Sequence, residues 1–326
     1  MLRWLVNFGF LALPIGVTIG ILLGLQAQRH ATGGPPLFQP PDQPGGAPPS
    51  TTSSPTSSPA GRRMAYIPRS RMATKNSHTR RWALNPNQWG TKAGDPGFLC
   101  MNVTTFNNQT YPTKHTAPEW TIWWQYDPIS GSGNNVHAFP NVKVDGNVFP
   151  QAVKDVSQID FDMQWRMRLD NETGPTDTDA LTKGNVNANV AVDMFLDTDK
   201  ASAQSSEKAK FEIMIWFAAL GAGTKAVNEQ AGNEVAKYTF NGTDFDLFAG
   251  KNGNGQMVLT WKAQKTMDDF HGNLYPFIEE ILKLKNADYI TDSHYLGYLS
   301  FGSEAYFSAD PVTFHVPSMA INVQKA

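Results

Sequence analysis

Cysteine is almost missing from this chain of 326 residues. Cys100 stands alone, so no internal disulfide can form. With no second thiol and no evident base it reads as a small buried hydrophobe. Net charge is also missing, at −2 with histidine neutral, and nothing in that balance points to a nucleic-acid partner. The seven histidines show no HxH or HExxH spacing, so neither a metal site nor a cofactor is expected. Gly221 and Gly223 do not build a phosphate loop after a strand-to-helix turn, and no Gly-x-Ser-x-Gly elbow is present. The chain has no internal repeat.

What is present begins with an apolar run, Trp4 to Leu25, behind Arg3. It approaches the ~20 residues that span a bilayer. Residues 1–27 therefore read as a signal-anchor or a signal peptide. Leu25 is not small, which makes the site after Ala27 poor for cleavage and favours the anchor; the single Arg3 orients the rest outward. Residues 28–81 follow as a linker. Ala31 to Gly61 is rich in Pro, Gly, Ser and Thr with one charge, Asp42, and cannot bury enough apolar surface to fold. Arg62 to Arg81 carries seven Lys/Arg and no acid, a solvated basic run. Asn-x-Thr sequons at Asn102, Asn108, Asn171 and Asn241 favour an extracellular or cell-surface domain, secreted if the leader is cut.

From Trp82 to the C-terminus, residues 82–326, short apolar runs alternate with Gly, Asn, Asp and Pro clusters. That texture means many strands joined by turns. Asn185 to Asp197 alternates without a break: Val186, Ala188, Val190, Val192, Met194 and Leu196 share one face, with Asp193 on the other. A half-buried antiparallel strand is expected. Phe211 to Phe217 sorts the same way, with Phe211, Ile213, Ile215 and Phe217 toward a core and Glu212, Met214 and Trp216 away from it. A lone carboxylate on so apolar a strand is costly to bury unpaired, so its face is a cleft or holds a partner. One helix is expected at Pro276–Lys285, with proline in its first turn and lysines in its last.

Two further stretches suit sugar chemistry. Trp120, Ile122, Trp124 and Tyr126 fall on one strand face; indole and phenol rings stack on sugar rings, and Trp89 and Trp216 add to that supply. Glu304 sits on a second nearly uncharged stretch, Tyr298–Tyr306, with Leu299, Phe301 and Ala305 on its core face. Two solitary glutamates on one concave face are what glycoside hydrolysis needs.

These residues resemble glycoside hydrolase family 12. The resemblance lies in Phe211–Trp216, in Phe301–Tyr306, in Asn87-Gln88-Trp89-Gly90, in the spacing of Trp120, Trp124 and Tyr126, in Asn134–Asn141, and in Val192-Asp193-Met194-Phe195, all in family order. It implies an all-β, concanavalin A-like β-jelly roll of two curved antiparallel sheets with one short helix. It further implies Glu212 as nucleophile, Glu304 as general acid/base and Asp193 as the acid paired with the nucleophile. Asn87, Trp89, Trp120, Trp124, Tyr126, Asn141, Met214 and Trp216 would bind substrate. The activity implied is a retaining endo-β-1,4-glucanase acting, as a monomer, on cellulose, mixed-linkage glucan or xyloglucan. A xyloglucan endotransglycosylase would share every one of these residues. A non-catalytic glucan-binding or wall-loosening protein would not need both glutamates.

Overall fold

The computed structural model describes residues 81–326, except 93, 105–110, 130–135, 171–173 and 231, and the two short strands Ala65–Tyr66 and Met72–Ala73. The apolar run Trp4–Leu25, most of the linker, Asn134–Asn135 and the sequons at Asn108 and Asn171 lie outside the described residues. Among the described residues no helix is long and apolar enough to cross a membrane.

In chain order the strands are β1 (Ala65–Tyr66), β2 (Met72–Ala73), β3 (Arg81–Asn85), β4 (Phe98–Thr104), β5 (Glu119–Gln125), β6 (Asn141–Asp145), β7 (Gln151–Ala152), β8 (Val156–Leu169) and β9 (Asn187–Asp197). They continue with β10 (Phe211–Leu220), β11 (Ala236–Phe240), β12 (Thr243–Lys251), β13 (Met257–Ala263), β14 (Asp269–Asn273), β15 (Tyr295–Gly302), β16 (Ala305–Phe307) and β17 (Val312–Lys325). They form two sheets. A six-stranded sheet runs β1-β4-β5-β17-β8-β14, and an eleven-stranded one runs β11-β12-β13-β10-β9-β15-β6-β3-β2, with β16 beside β9 and β7 beside β15. This is the expected two-sheet, nearly all-β architecture. The pairing departs from pure antiparallel at one place: β10 and β13 run parallel, with Glu212 opposite Val258.

The core lies where the sheets' inner faces meet. Phe161 of β8 and Phe314 of β17 face Phe217 of β10 and Phe301 of β15, with ring centroids 5.4–6.3 Å apart. Phe270 of β14 stands edge-on to Phe217 at 5.1 Å, a preferred geometry for aromatic quadrupoles. The expected helix is present as Tyr275–Lys283. Its stripe Phe277, Ile278 and Ile281 is buried, and the Phe277 carbonyl accepts from Trp261 Nε1 at 3.0 Å. Two shorter helices, Thr178–Lys183 and Lys200–Ala203, add to the one expected. Each starts on an aspartate whose side chain accepts a backbone amide, Asp177 from Ala180 and Asp199 from Ser202, the usual N-cap arrangement.

The faces of β9 and β10 fall as the alternation predicts, but their burial does not. Every residue of β9 is buried, not every second one. Its outer face, with Asn187, Asn189, Asp193 and Asp197, is buried as well, so a polar face here is still an enclosed one. Because Phe217 is fully enclosed by rings from both sheets, Phe217→Ala is expected to cost about 3–5 kcal/mol, measurable by denaturant unfolding.

Candidate active site

The concave face of the eleven-stranded sheet gathers three carboxyls. Cross-strand register sets Met214 opposite Asp193 and Glu212 opposite Phe195. Glu212 and Asp193 are therefore diagonal neighbours on one face, about 7–8 Å apart at the backbone, within mutual reach of their side chains. On the other side of β9, Ser300 of β15 stands opposite Asp193.

Glu304 arrives differently. The ladder breaks after Gly302, and Ser303 and Glu304 form the link to β16, not the continuous strand expected from alternation. Asn189 on β9 holds that link. Its side-chain oxygen accepts from the Glu304 amide at 2.9 Å and its amide nitrogen donates to Glu304 Oε2. Ser303 Oγ donates to the Asn189 carbonyl at 2.6 Å, and Tyr306 Oη donates to Glu304 Oε2 at 3.1 Å. Glu212 is met from the β12–β13 turn, where Asn252 Nδ2 donates to its Oε2 at 3.4 Å. Asn252 is itself fixed by accepting the amides of Asn254 and Gln256 at 3.0 Å each. Asn189 and Asn252 were not singled out in the sequence. The Asn252-Gly253-Asn254-Gly255 run signals a turn, but nothing local says that the turn reaches Glu212.

Burial sets the protonation of this group. It pushes Asp193 well up, and the charges of Glu212 and Glu304 and the hydrogen bond to Glu212 push the same way. Glu212 is raised to about 8 by burial and then by Glu304, with the hydrogen bonds from Asp193 and Asn252 pulling it back. Glu304 is raised to about 7 by burial, against the hydrogen bonds from Tyr306 and Asn189. The Asp193–Glu212 hydrogen bond thus carries its proton on Asp193, which leaves Glu212 the acceptor. Burial, ahead of any neighbouring charge, raises Glu304.

Trp89 is the open aromatic. It sits in the turn after β3 with 55% of its surface exposed. The turn is laced to the catalytic link through residues 136–140. Phe139 N donates to the Asn87 carbonyl at 3.0 Å and Gly90 N to the His137 carbonyl at 2.9 Å. His137 N donates to Ala305 O, and Ala305 N to Ala138 O, both at 2.9 Å. Gly90 is required by this approach, since a Cβ there would lie 2.0 Å from the Val136 carbonyl oxygen. Asn87 turns the chain with a positive φ of 41°.

Several expected sugar contacts are placed elsewhere. Trp120 and Trp124 belong to β5 in the six-stranded sheet, and both are buried in the inter-sheet core; Trp120 is edge-on to Phe314 at 5.3 Å. Period two identified their face but not that this face was the core. Tyr126 is buried too. It stacks flat on His137 at 4.5 Å, and its hydroxyl accepts from Gln88 at 2.8 Å, so it supports the Trp89 turn from beneath. Trp216 does lie on the concave sheet face, but it is packed into a small apolar cluster with Ala191, Ala226 and Phe248 and offers no open ring. Asn141 is on the concave side of β6 and fully enclosed. Met214 is beside Asp193, nearly buried, its sulfur accepting from Trp216 Nε1 at 3.4 Å. On the flank of β10 away from Trp89, a cavity of about 520 Å³ opens between β12, β13 and the segment after β10, lined by Lys225, Glu229, Phe248 and Lys262 among others.

Residues 80–324 match the family model described as Glycosyl hydrolase family 12. The chain is 30% identical over 227 residues to a probable xyloglucan-specific endo-beta-1,4-glucanase A of Aspergillus clavatus, covering 69% of this chain and 80% of that protein. It is 26% identical over 237 residues to the xyloglucan-specific endo-beta-1,4-glucanase A of Emericella nidulans, covering 73% and 83%. Its fold is similar to that of Endoglucanase 3 of Trichoderma harzianum, with a TM-score of 0.59 at 21% identity over 80% of this chain and 97% of that one.

The raised carboxyls make stability pH-dependent. Between the unfolded value near 4.5 and the folded value of about 7, native Glu304 holds a proton that the unfolded chain has lost. Its contribution is therefore full below about 4.5 and fades as pH rises through 7. Glu304→Gln is expected to raise Tm at pH 8 by roughly 2–4 °C, with the difference vanishing at pH 4. A thermal melt at both values measures it.

Proposed function

Because the chain belongs to glycosyl hydrolase family 12, we propose that it is a retaining endo-β-1,4-glucanase whose catalytic domain is residues 82–326, with branched xyloglucan among its substrates. The observation that carries this reading is the grouping of Glu212, Asp193 and Glu304 on one sheet face, with Glu304 held by Asn189 and Glu212 by Asn252. The xyloglucan reading draws support from the likeness to the xyloglucan-specific enzymes of Aspergillus clavatus and Emericella nidulans, the first a probable one. We place the domain outside the cell, where the sequon at Asn241 would stand accessible at the tip of the β11–β12 hairpin. The segment 1–27 would be its anchor or leader.

In this mechanism Glu212, ionised, attacks the anomeric carbon while Glu304 gives its proton to the departing glycosidic oxygen. The bond to that oxygen breaks as the Glu212–carbon bond forms. Asp193 keeps its own proton and donates a hydrogen bond to Glu212, stabilising the anion before attack. Once Glu212 is esterified its charge is gone, Glu304 has become an anion, and it takes a proton from the water that displaces Glu212. Two inversions restore the starting configuration. Trp89 stacks on a sugar of the donor side, Asn87 bonds to it, and Met214 lines the sugar that reacts.

The productive state needs one negative charge in the group, on Glu212, with protons on Asp193 and Glu304. kcat/KM should follow a bell whose acid limb is the ionisation of Glu212 and whose alkaline limb is the loss of the Glu304 proton, both raised by burial above the ordinary carboxylate range. Glu212→Ala should abolish hydrolysis, and azide should restore turnover as the α-glycosyl azide. Glu304→Ala should retain activity only on substrates with good leaving groups, and azide should then give the β product. NMR of the first product of the intact enzyme decides the stereochemistry: an inverted anomer, or near-normal activity in either variant, overturns the assignment.

A further inference from the structure

Two residues beyond Glu304 the ladder is irregular. β16 pairs with β9 at Ala305 opposite Ala188 and at Phe307 opposite Asn187, so Tyr306 is one residue too many for its partner strand. The extra residue of a bulge is left out of the regular hydrogen bonds, and its side chain is re-aimed. Here the aim is back toward Glu304, whose Oε2 accepts from the Tyr306 hydroxyl at 3.1 Å. The direction of the phenol depends on the main chain that carries it, and at a bulge the ladder does not fix that main chain.

His137 supplies the hold. Its Nδ1 lies 2.5 Å from the Tyr306 carbonyl oxygen. A carbonyl only accepts, so Nδ1 carries the proton and donates it. The backbone amide of His137 donates to the Ala305 carbonyl at 2.9 Å. One residue therefore grips both positions that follow Glu304. Its ring is itself held. It is 5% exposed and lies flat on Tyr126, 1° from parallel with centroids 4.5 Å apart. The Tyr126 carbonyl in turn accepts from the Ser308 amide at 3.0 Å. A ring that only filled space here would need no nitrogen; the directed bond to the bulge carbonyl is the feature that packing does not explain.

We propose that His137 is a positioning residue for the acid/base group: by holding the Tyr306 carbonyl, it sets the Tyr306 phenol against Glu304. The inference rests on the hydrolase reading of Glu304. The phenol then bonds to the carboxylate that Glu304 becomes after giving its proton to the departing oxygen. The ionisable groups around Glu304 are Tyr306 on β16, Asp193 on β9, Glu212 on β10 and, beyond Tyr306, Glu229 from the segment after β10. Glu229 is paired with Lys262 at 2.6 Å. Glu304 itself is met by two neutral donors, Tyr306 and Asn189, and His137 acts on it through the first of them.

The test is the alkaline limb of kcat/KM on a soluble β-glucan. The Tyr306 hydrogen bond favours the charged form of Glu304, so losing it raises the pH at which Glu304 gives up its proton. Tyr306→Phe should move the limb upward by about half a unit to one unit. His137→Phe keeps a ring against Tyr126 but has no donor, and should move the limb in the same direction. His137→Asn, whose amide donates from a similar position, should bring it back. The double variant of Tyr306→Phe with His137→Phe should move no further than Tyr306→Phe alone. A limb that stays put in active His137→Phe, that Asn leaves displaced, or that shifts further in the double variant overturns the proposal. 15N NMR of the intact protein at pH 8, with the His137 ring assigned, needs no variant: a proton on Nδ1 supports the bond to Tyr306, and a ring protonated only at Nε2 refutes it. Failure of the hydrolase reading would show separately, as an intact protein that releases no reducing ends from any β-glucan.

Discussion

The hydrogen bond between Asp193 and Glu212 is the contact on which the rest of the cleft depends. Two carboxyls enclosed on one sheet face, with a third nearby, cannot all be charged; burial and mutual repulsion both forbid it. The protein resolves the conflict by leaving a proton on Asp193 and using it to hold Glu212 as an acceptor. The neighbouring groups serve that division. Asn252 gives Glu212 a further donor without adding charge, while Asn189 and Tyr306 hold Glu304 from outside the pair. No described cation forms an ion pair with any of the three, and one that did would lock a carboxyl in its charged form. Neutral amides and a phenol leave the protons free to move during a reaction.

The two glutamates are supported in different ways. Glu212 stands on a central strand paired on both sides, by β9 and β13, and is as fixed as the sheet. Glu304 stands where the ladder lapses for two residues, and its position is restored by side chains. An acid/base group must serve both a departing oxygen and an incoming water, and a link held by hydrogen bonds can relax between the two. A nucleophile that forms one bond in one direction gains from rigidity.

Much of this could be read from the residues. Alternation along Asn185–Asp197 and Phe211–Phe217 put Asp193, Glu212 and Met214 on the correct face, because a period of two is a property of the strand itself. The helix expected at Pro276–Lys285 and found at Tyr275–Lys283 was legible because its first-turn proline, its late lysine and its apolar stripe are local signals too. Period two could not say which face of β5 was the core, since that depends on the sheet to which the strand belongs. Trp120 and Trp124 therefore looked like a platform when they are filling. Trp216 lies on the right face but beneath a loop, and loop placement has no local signature. Asn189 and Asn252 act across 115 and 40 residues of chain, and a single sequence carries no trace of such pairings.

The lacing between the Trp89 turn and Ala305 has consequences for redesign. Backbone hydrogen bonds run from Asn87 and Gly90 through residues 137–139 to the residue that follows Glu304, and Tyr126 is wedged beneath them against His137. The outermost aromatic and the acid/base residue are thus parts of one assembly drawn from four separated stretches of chain. Exchanging the Trp89 turn for another of different length would disturb Glu304 while leaving its neighbours in sequence untouched. Grafts meant to retune the edge of this cleft would have to transfer all four stretches together.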